Sequence, residues 1–251
     1  MTARSTTPGR RLQRPIMVVG GGAFQPATRG GVLEDHWLAL ARAISGRDRP
    51  RVCFIGTASG DDRTFIDQFH DVFAAAAVTS HLALFERTVD DVEGFLLGHD
   101  AVYVGGGNTA SLLAVWRAHG VDGALRRAHE AGVLLAGGSA GGLCWFEGGT
   151  TDSFGPRLAP LRDGIGLIPG SHCPHYEGEP ERRPTYHALV GTGELPPGIA
   201  VDDFAAAVFD GPSLNEVVAA RAGPAAYRVE RSAQGVSEAI LPVRVLVSSH
   251  P

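Results

Sequence analysis

The sequence predicts an open α/β fold: a mostly parallel sheet flanked by helices, with a short antiparallel part towards the C-terminus. Three observations predict it. Continuous apolar runs of strand length, "PIMVVGG", "RVCFIGTAS", "AVYVGGG" and "GVLLAGG", recur through the first 150 residues, as strands buried on both faces require. Stretches of helical period separate them, which is the alternation of a parallel sheet. Glycine-rich segments, "GGGAF", "GTASG", "GGGN" and "GGSAGG", close the apolar runs, at the carboxyl strand ends where such sheets gather their sites.

Taken in order, 15–21 reads as a buried strand and 32–45 as a helix with Leu33, Trp37, Leu40 and Ile44 on one face. A second strand covers 51–59. The stretch 61–77 opens with acids suited to a helix N-terminus and carries Phe65, Phe69 and Phe73 at helical spacing. The apolar run 81–85 is followed by a short helix near 88–97 and a strand at 101–107. Helices at 109–118 and 121–131 lead into the strand 132–138. Beyond residue 150 the chain is rich in Gly and Pro with little helical periodicity, and its last third reads as short antiparallel strands joined by turns. No linker divides the chain, so 15–251 is expected to be a single domain behind a flexible tail of residues 1–14.

The composition narrows the function. With 251 residues, 44% of them hydrophobic, there is ample material for one large core. The net charge is −5, and the 22 basic residues, all arginine, are not gathered into a cationic face, which argues against a nucleic-acid partner. The absence of lysine excludes lysine-based catalysis. Cys53, Cys144 and Cys173 are widely spaced with no CxxC pair, so neither a disulfide framework nor a zinc site is suggested. The polar, arginine-rich opening has no apolar signal core behind it, and no run of 18 apolar residues exists. A cytoplasmic protein without a membrane partner is therefore expected.

Gly137-Gly138-Ser139-Ala140-Gly141 fits G-x-S-x-G. In a nucleophile elbow the serine stands on a strained strand-to-helix turn, where only small neighbours fit. A strand precedes this motif, and "LCWFE" can continue it as a helix. The structural alternative is a small residue at a tight turn. A nucleophilic serine needs a base, and the base an orienting acid. Downstream, His172, His175 and His187 are the near candidates. Glu147, Asp152 and Asp163 are the acids between serine and histidine. Asp152 follows a glycine pair and can fold back, whereas Glu147 would point away if the helix continued. The glycine loop at 103–113 lacks the Gly-Lys-Ser/Thr of a phosphate-binding loop. Its Gly107 N–H, with that of Ala140, would make a two-donor oxyanion hole.

"VYVGGGNTASLL", "GGSAGG", "TTDS" and "CPHYEGEPERRP" together resemble the serine peptidase family that contains aspartyl dipeptidase (peptidase E) and cyanophycinase. The likeness runs from about residue 16 to 225. It implies a flavodoxin-like sheet of the class I glutamine amidotransferase kind, with Ser139 as nucleophile and His175 as base. Asp152 is the implied acid and Glu147 its rival. Gly107 and Ala140 are the implied oxyanion donors, and no cofactor is required. A small peptide is the expected substrate, and a homodimer is left open. Specificity for an N-terminal aspartate would need a cation, for which Arg182 and Arg183 are the candidates, with Asn108 beside them as a substrate-binding residue. Glu177 and Glu179 would suit the β-aspartyl-arginine links of cyanophycin. A non-catalytic relative on the same scaffold is the remaining alternative.

Overall fold

The computed structural model describes residues 12–22, 31–233 and 235–247. Its first strand, β1 (Pro15–Val19), is buried along its whole length. Successive residues face opposite sides of the sheet: Ile16 and Val18 enter one apolar cluster, Met17 and Val19 the other. The same alternation holds in β2 (Arg51–Ile55), β4 (Ala101–Val104) and β5 (Leu134–Gly138). That is why these strands read as unbroken apolar runs.

Helices α1 (Val32–Ser45) and α2 (Arg63–Phe73) cover one face with Leu33, Trp37, Ile66, Phe69 and Phe73. α2 is shorter than expected because Asp62 caps it, accepting the Thr64 N–H at 2.8 Å. β3 (Val78–Leu82) forms the sheet edge. α3 (Val92–Leu97), α4 (Thr109–His119) and α5 (Val121–Glu130) cover the opposite face with Leu96, Leu112, Trp116 and Leu125. After β5 the chain makes one helical turn, α6 (Ala140–Leu143), and enters β6 (Phe146–Thr151). The expected helix through "LCWFE" is therefore absent, and Glu147 lies on a strand.

The remaining elements are β7 (Ala159–Leu161), β8 (Ile168–Cys173), α7 (Arg182–Thr192), β9 (Gly198–Val201), β10 (Ala205–Asp210), β11 (Ser213–Ala219), β12 (Ala226–Ser232), β13 (Gly235–Ile240) and β14 (Val243–Val245). They make two sheets. The larger has the order β14-β11-β10-β1-β5-β4-β2-β3, parallel from β1 through β3, with antiparallel β10 and β11 added beyond β1. The second, β13-β12-β9-β8-β6-β7, is not foreseen by the sequence. It packs Phe146, Ile168 and Ile199 on the core of the first, while Tyr186, Leu189 and Val190 of α7 lie in the cluster on its other side. Helix α7 escapes the sequence pattern because Arg182 is among the residues it buries.

Residues 12–14 are not part of a loose tail: the Gln13 and Arg14 N–H groups both donate to Asp210 Oδ1 at 2.9 Å. The rest of the expected tail, 1–11, lies outside the described residues. No helix among the described residues is long and apolar enough to cross a membrane. For the site, the register matters most. Val19 pairs with Gly138, and Val104 with Gly137, so the carboxyl ends of β1, β5 and β4 are level. Antiparallel β10 begins at the same rim, with Ala206 opposite Val19.

Candidate active site

β5 ends at Gly138 and α6 begins at Ala140, leaving Ser139 alone on the turn with φ 52° and ψ −116°. A side chain held at positive φ costs on the order of 1–3 kcal/mol, so the surroundings must impose it. The Ser139 N–H donates to Val19 O at 3.1 Å, and its carbonyl accepts from Gly142 and Leu143 at 3.0 and 2.9 Å. The flanking glycines are steric requirements. A Cβ on Gly137 would lie 2.2 Å from Gly141 O, and one on Gly141 would lie 2.2 Å from Val104 O. The two glycines let α6 turn back against the end of β5 and pass against the end of β4.

His175 comes from the other sheet, two residues beyond β8, and also has a positive φ of 54°. Its N–H donates to Gly20 O at 3.3 Å, which ties its loop to the end of β1. The imidazole Nε2 stands 2.8 Å from Ser139 Oγ, and Nδ1 stands 2.6 Å from Asp203 Oδ1. With the carboxylate accepting from Nδ1–H, Nε2 is the acceptor for the serine hydroxyl proton. The His175 and Asp203 side chains are 21% and 31% exposed, so the pair is open to a small substrate.

Asp203 lies between β9 and β10, where Gly21 and Asp203 form an isolated bridge and Phe204 N–H donates to Gly21 O at 2.9 Å. Phe204 has φ 64°. Thus three of the four described non-glycine residues at positive φ, Ser139, His175 and Phe204, lie in or beside this chain of hydrogen bonds. The neighbouring Asp202 faces away. It is buried and accepts the N–H groups of Ala225 and Glu177 at 2.9 and 3.1 Å, and burial pushes its carboxyl pKa up. One aspartate fastens the histidine loop while the next meets the imidazole.

Gly21 separates these parts. A Cβ there would sit 2.1 Å from Asp203 Oδ1 and 2.4 Å from His175 Cε1. These are side-chain ends that can move, so Gly21→Ala is expected to fold and yet to lose about 10²-fold or more in kcat by displacing the imidazole. Gly20→Ala would instead press on Asp202 O at 2.2 Å, a backbone atom, and is expected to destabilise the fold. Unfolding curves beside rates separate the two effects.

The acids expected between serine and histidine stand elsewhere. Asp152 is exposed in a turn closed by Gly155 N–H on its carbonyl, and no hydrogen bond joins its side chain to His175. Glu147 is exposed on β6 and accepts Gly170 N–H at 2.8 Å. Asp163 is paired with Arg117 at 2.8 Å. Among the histidines, His172 is fully buried with its pKa pushed down to about 3 by desolvation. His187 bonds Glu238 at 2.8 Å and the Tyr176 hydroxyl at 3.0 Å. Asp203 lies beyond His175, outside the span between serine and histidine from which the sequence candidates come. The available signal was "GIAVDDF", an apolar run ending in two acids at a carboxyl strand end.

The other sequence candidates divide. Gly106 is beside the nucleophile, its Cβ position 3.5 Å from Ser139 Cβ, and Gly107 follows at φ 137°. Gly107 passes so close to Ala58 O that a side chain would overlap it at 2.2 Å. Asn108 is engaged structurally. Its Oδ1 caps α4 by accepting Ser111 N–H at 2.8 Å, and its Nδ2 donates to Ser153 O at 3.0 Å. Arg182 is buried, bonding Glu179 at 2.7 Å and Thr150 O at 3.1 Å. Arg183 is bound by Glu177 and Glu238 and stacks on Tyr176 and Tyr227 at 5.5 Å. Both arginines are thus already neutralised within the chain. The Cys144 thiol is buried, which raises its pKa far from the thiolate range.

Comparison with known proteins identifies the family of the chain. The family model for peptidase family S51 matches residues 16–217. The uncharacterized peptidase YgaJ of Bacillus subtilis (strain 168) is 43% identical over 237 residues, covering 93% of this chain and 99% of its own. Two solved structures share the fold. A peptidase from an acI-B1 Actinobacterium has a TM-score of 0.65 at 16% identity, covering 95% of this chain and 98% of that one. A candidate peptidase E protein from Listeria monocytogenes EGD-e has a TM-score of 0.57 at 18% identity, covering 80% and 96%. With the family model spanning most of its length and a relative this similar almost from end to end, the chain belongs to peptidase family S51, a family of serine peptidases.

Proposed function

We propose that the enzyme hydrolyses short peptides through an acyl-enzyme on Ser139, with His175 as general base and acid and Asp203 as the orienting acid. The observation that carries this reading is the unbroken chain from Ser139 Oγ through His175 to Asp203, at 2.8 and 2.6 Å. Attack of Oγ on the scissile carbonyl transfers the hydroxyl proton to Nε2. The imidazolium so formed is stabilised by the Asp203 carboxylate. Collapse of the tetrahedral intermediate breaks the C–N bond as Nε2–H passes its proton to the leaving amine. Water, deprotonated by the same nitrogen, then cleaves the ester and restores Ser139.

The developing oxyanion is assigned to the N–H groups of Ala140 and Gly107. Neither has an acceptor among the described residues, and donors of this kind are worth about 3–4 kcal/mol each in a transition state. Because Arg182 and Arg183 are already ion-paired, neither is assigned as a receptor for an N-terminal aspartate, and the substrate class assigned is short peptides. The test is release of amino acid from Ala-Leu, Glu-Leu, Asp-Leu and a β-aspartyl-arginine dipeptide. Cleavage of Ala-Leu is expected. Cleavage confined to Asp-Leu, or to the β-linked compound, would replace this substrate class, and cleavage of none would overturn the peptidase reading for dipeptides.

A further inference from the structure

All 27 acidic side chains of the protein lie within the described residues, so the pairing of each described arginine with side-chain carboxylates can be followed. Near the site, Arg182 and Arg183 are both paired. Arg221 is exposed and makes no ion pair or hydrogen bond among the described residues. It is nevertheless held in place. Its guanidinium carbon lies 4.9 Å from the centroid of the Phe204 ring, within the range of a cation–π contact. Phe204 is the residue after Asp203. Its N–H is bound to Gly21 O and its carbonyl accepts Ala220 N–H at 2.8 Å. An unpaired cation is thereby fixed to the corner of the chain that also sets the catalytic carboxylate.

Its side of the nucleophile can be read from the topology. β11 ends at Ala219 opposite Ala205, the first residue of β10, so Arg221 follows at the rim on which Ser139 stands. The order β11-β10-β1-β5 places it three strands from the nucleophile, on the flank from which His175 approaches through Gly20 and Gly21. His175 donates to the leaving amine, so this flank faces the leaving portion of the peptide. Three strand spacings are about 14 Å. An arginine side chain reaches across roughly half of that, and the rest is the length of about two extended residues.

We propose that Arg221 receives the free C-terminal carboxylate of a leaving group one or two residues long, selecting short peptides that end just beyond the scissile bond. The inference rests on the peptide-hydrolase reading above. A guanidinium can bind a carboxylate through two parallel hydrogen bonds, and at this exposure the pair is worth on the order of 1 kcal/mol, or somewhat under tenfold in affinity.

The test compares kcat/KM for two matched pairs, Ala-Leu with its C-terminal amide and Ala-Leu-Gly with its amide. Wild type is expected to favour the acids by about fivefold to tenfold, through KM. In Arg221→Gln that ratio falls to near one, Arg221→Lys retains part of it, and Arg157→Gln, an exposed arginine between β6 and β7, leaves it in place. Melting curves confirm that the variants are folded. Equal hydrolysis of acid and amide by wild type, or an undiminished ratio in Arg221→Gln, overturns the inference while the peptidase reading stands. Hydrolysis of none of the four overturns both.

Discussion

Replacing Ser139 with alanine is expected to lower kcat on any cleaved peptide by about 10⁵–10⁶-fold, the loss seen when the attacking group of such a triad is removed. A fluorophosphonate probe should label the wild type at this serine and leave Ser139→Ala unlabelled. The fold should survive. The main-chain bonds that hold the turn, from Ser139 N to Val19 O and from Gly142 and Leu143 N to the 139 carbonyl, do not involve the side chain. Alanine accepts the same φ of 52° at a similar cost. Unchanged melting with lost turnover is therefore the expected result. A variant that still turns over would place the nucleophile elsewhere.

Asp203→Asn is expected to cost about 10⁴-fold in kcat with little change in stability. The amide fits the same space, but it presents either a donor to Nδ1 or a weaker acceptor. The imidazole then holds its proton on Nε2, where Ser139 Oγ needs an acceptor. The comparison that decides is with Asp152→Asn and Glu147→Gln, both expected to remain within about twofold of wild type, since neither carboxylate touches His175. A large loss in Asp152→Asn with a small one in Asp203→Asn would reverse the assignment. Rates at a single pH near neutrality suffice, because the expected effect is four orders of magnitude.

The parts of this site that were legible in the sequence are those that local chemistry dictates. Alternate residues of β1, β2, β4 and β5 feed two cores, so the strands appear as apolar runs. The glycines around Ser139 are required by contacts within the turn itself, so the elbow appears as a motif. Which acid of "GIAVDDF" meets His175 was hidden, because it depends on a bridge between Gly21 and Asp203, far along the chain, which no local pattern records. The second sheet was hidden for a related reason. β6 and β8 carry glycine and polar residues instead of an unbroken apolar run, and β6, β8 and β9 pair in parallel across intervening loops and a helix, so neither an apolar pattern nor a hairpin signal announces them. Arg182 and Arg183 show a different limit. A sequence displays two cations beside a candidate base, but only the fold reveals that Glu179, Glu177 and Glu238 have already taken them.

The two sheets also divide the catalytic apparatus. Ser139 is delivered by the larger sheet, His175 by the smaller one, and Asp203 by the strand-to-strand passage that crosses between them. Each hydrogen bond of the triad is thus a tertiary contact, made only when two separately laddered layers dock in one register. A chain whose strands and helices have all formed, but whose layers have slipped by the width of a side chain, would keep its secondary structure and have no active site. The Ser139–His175–Asp203 hydrogen bonds therefore report the docking of one sheet upon the other, beyond the formation of either.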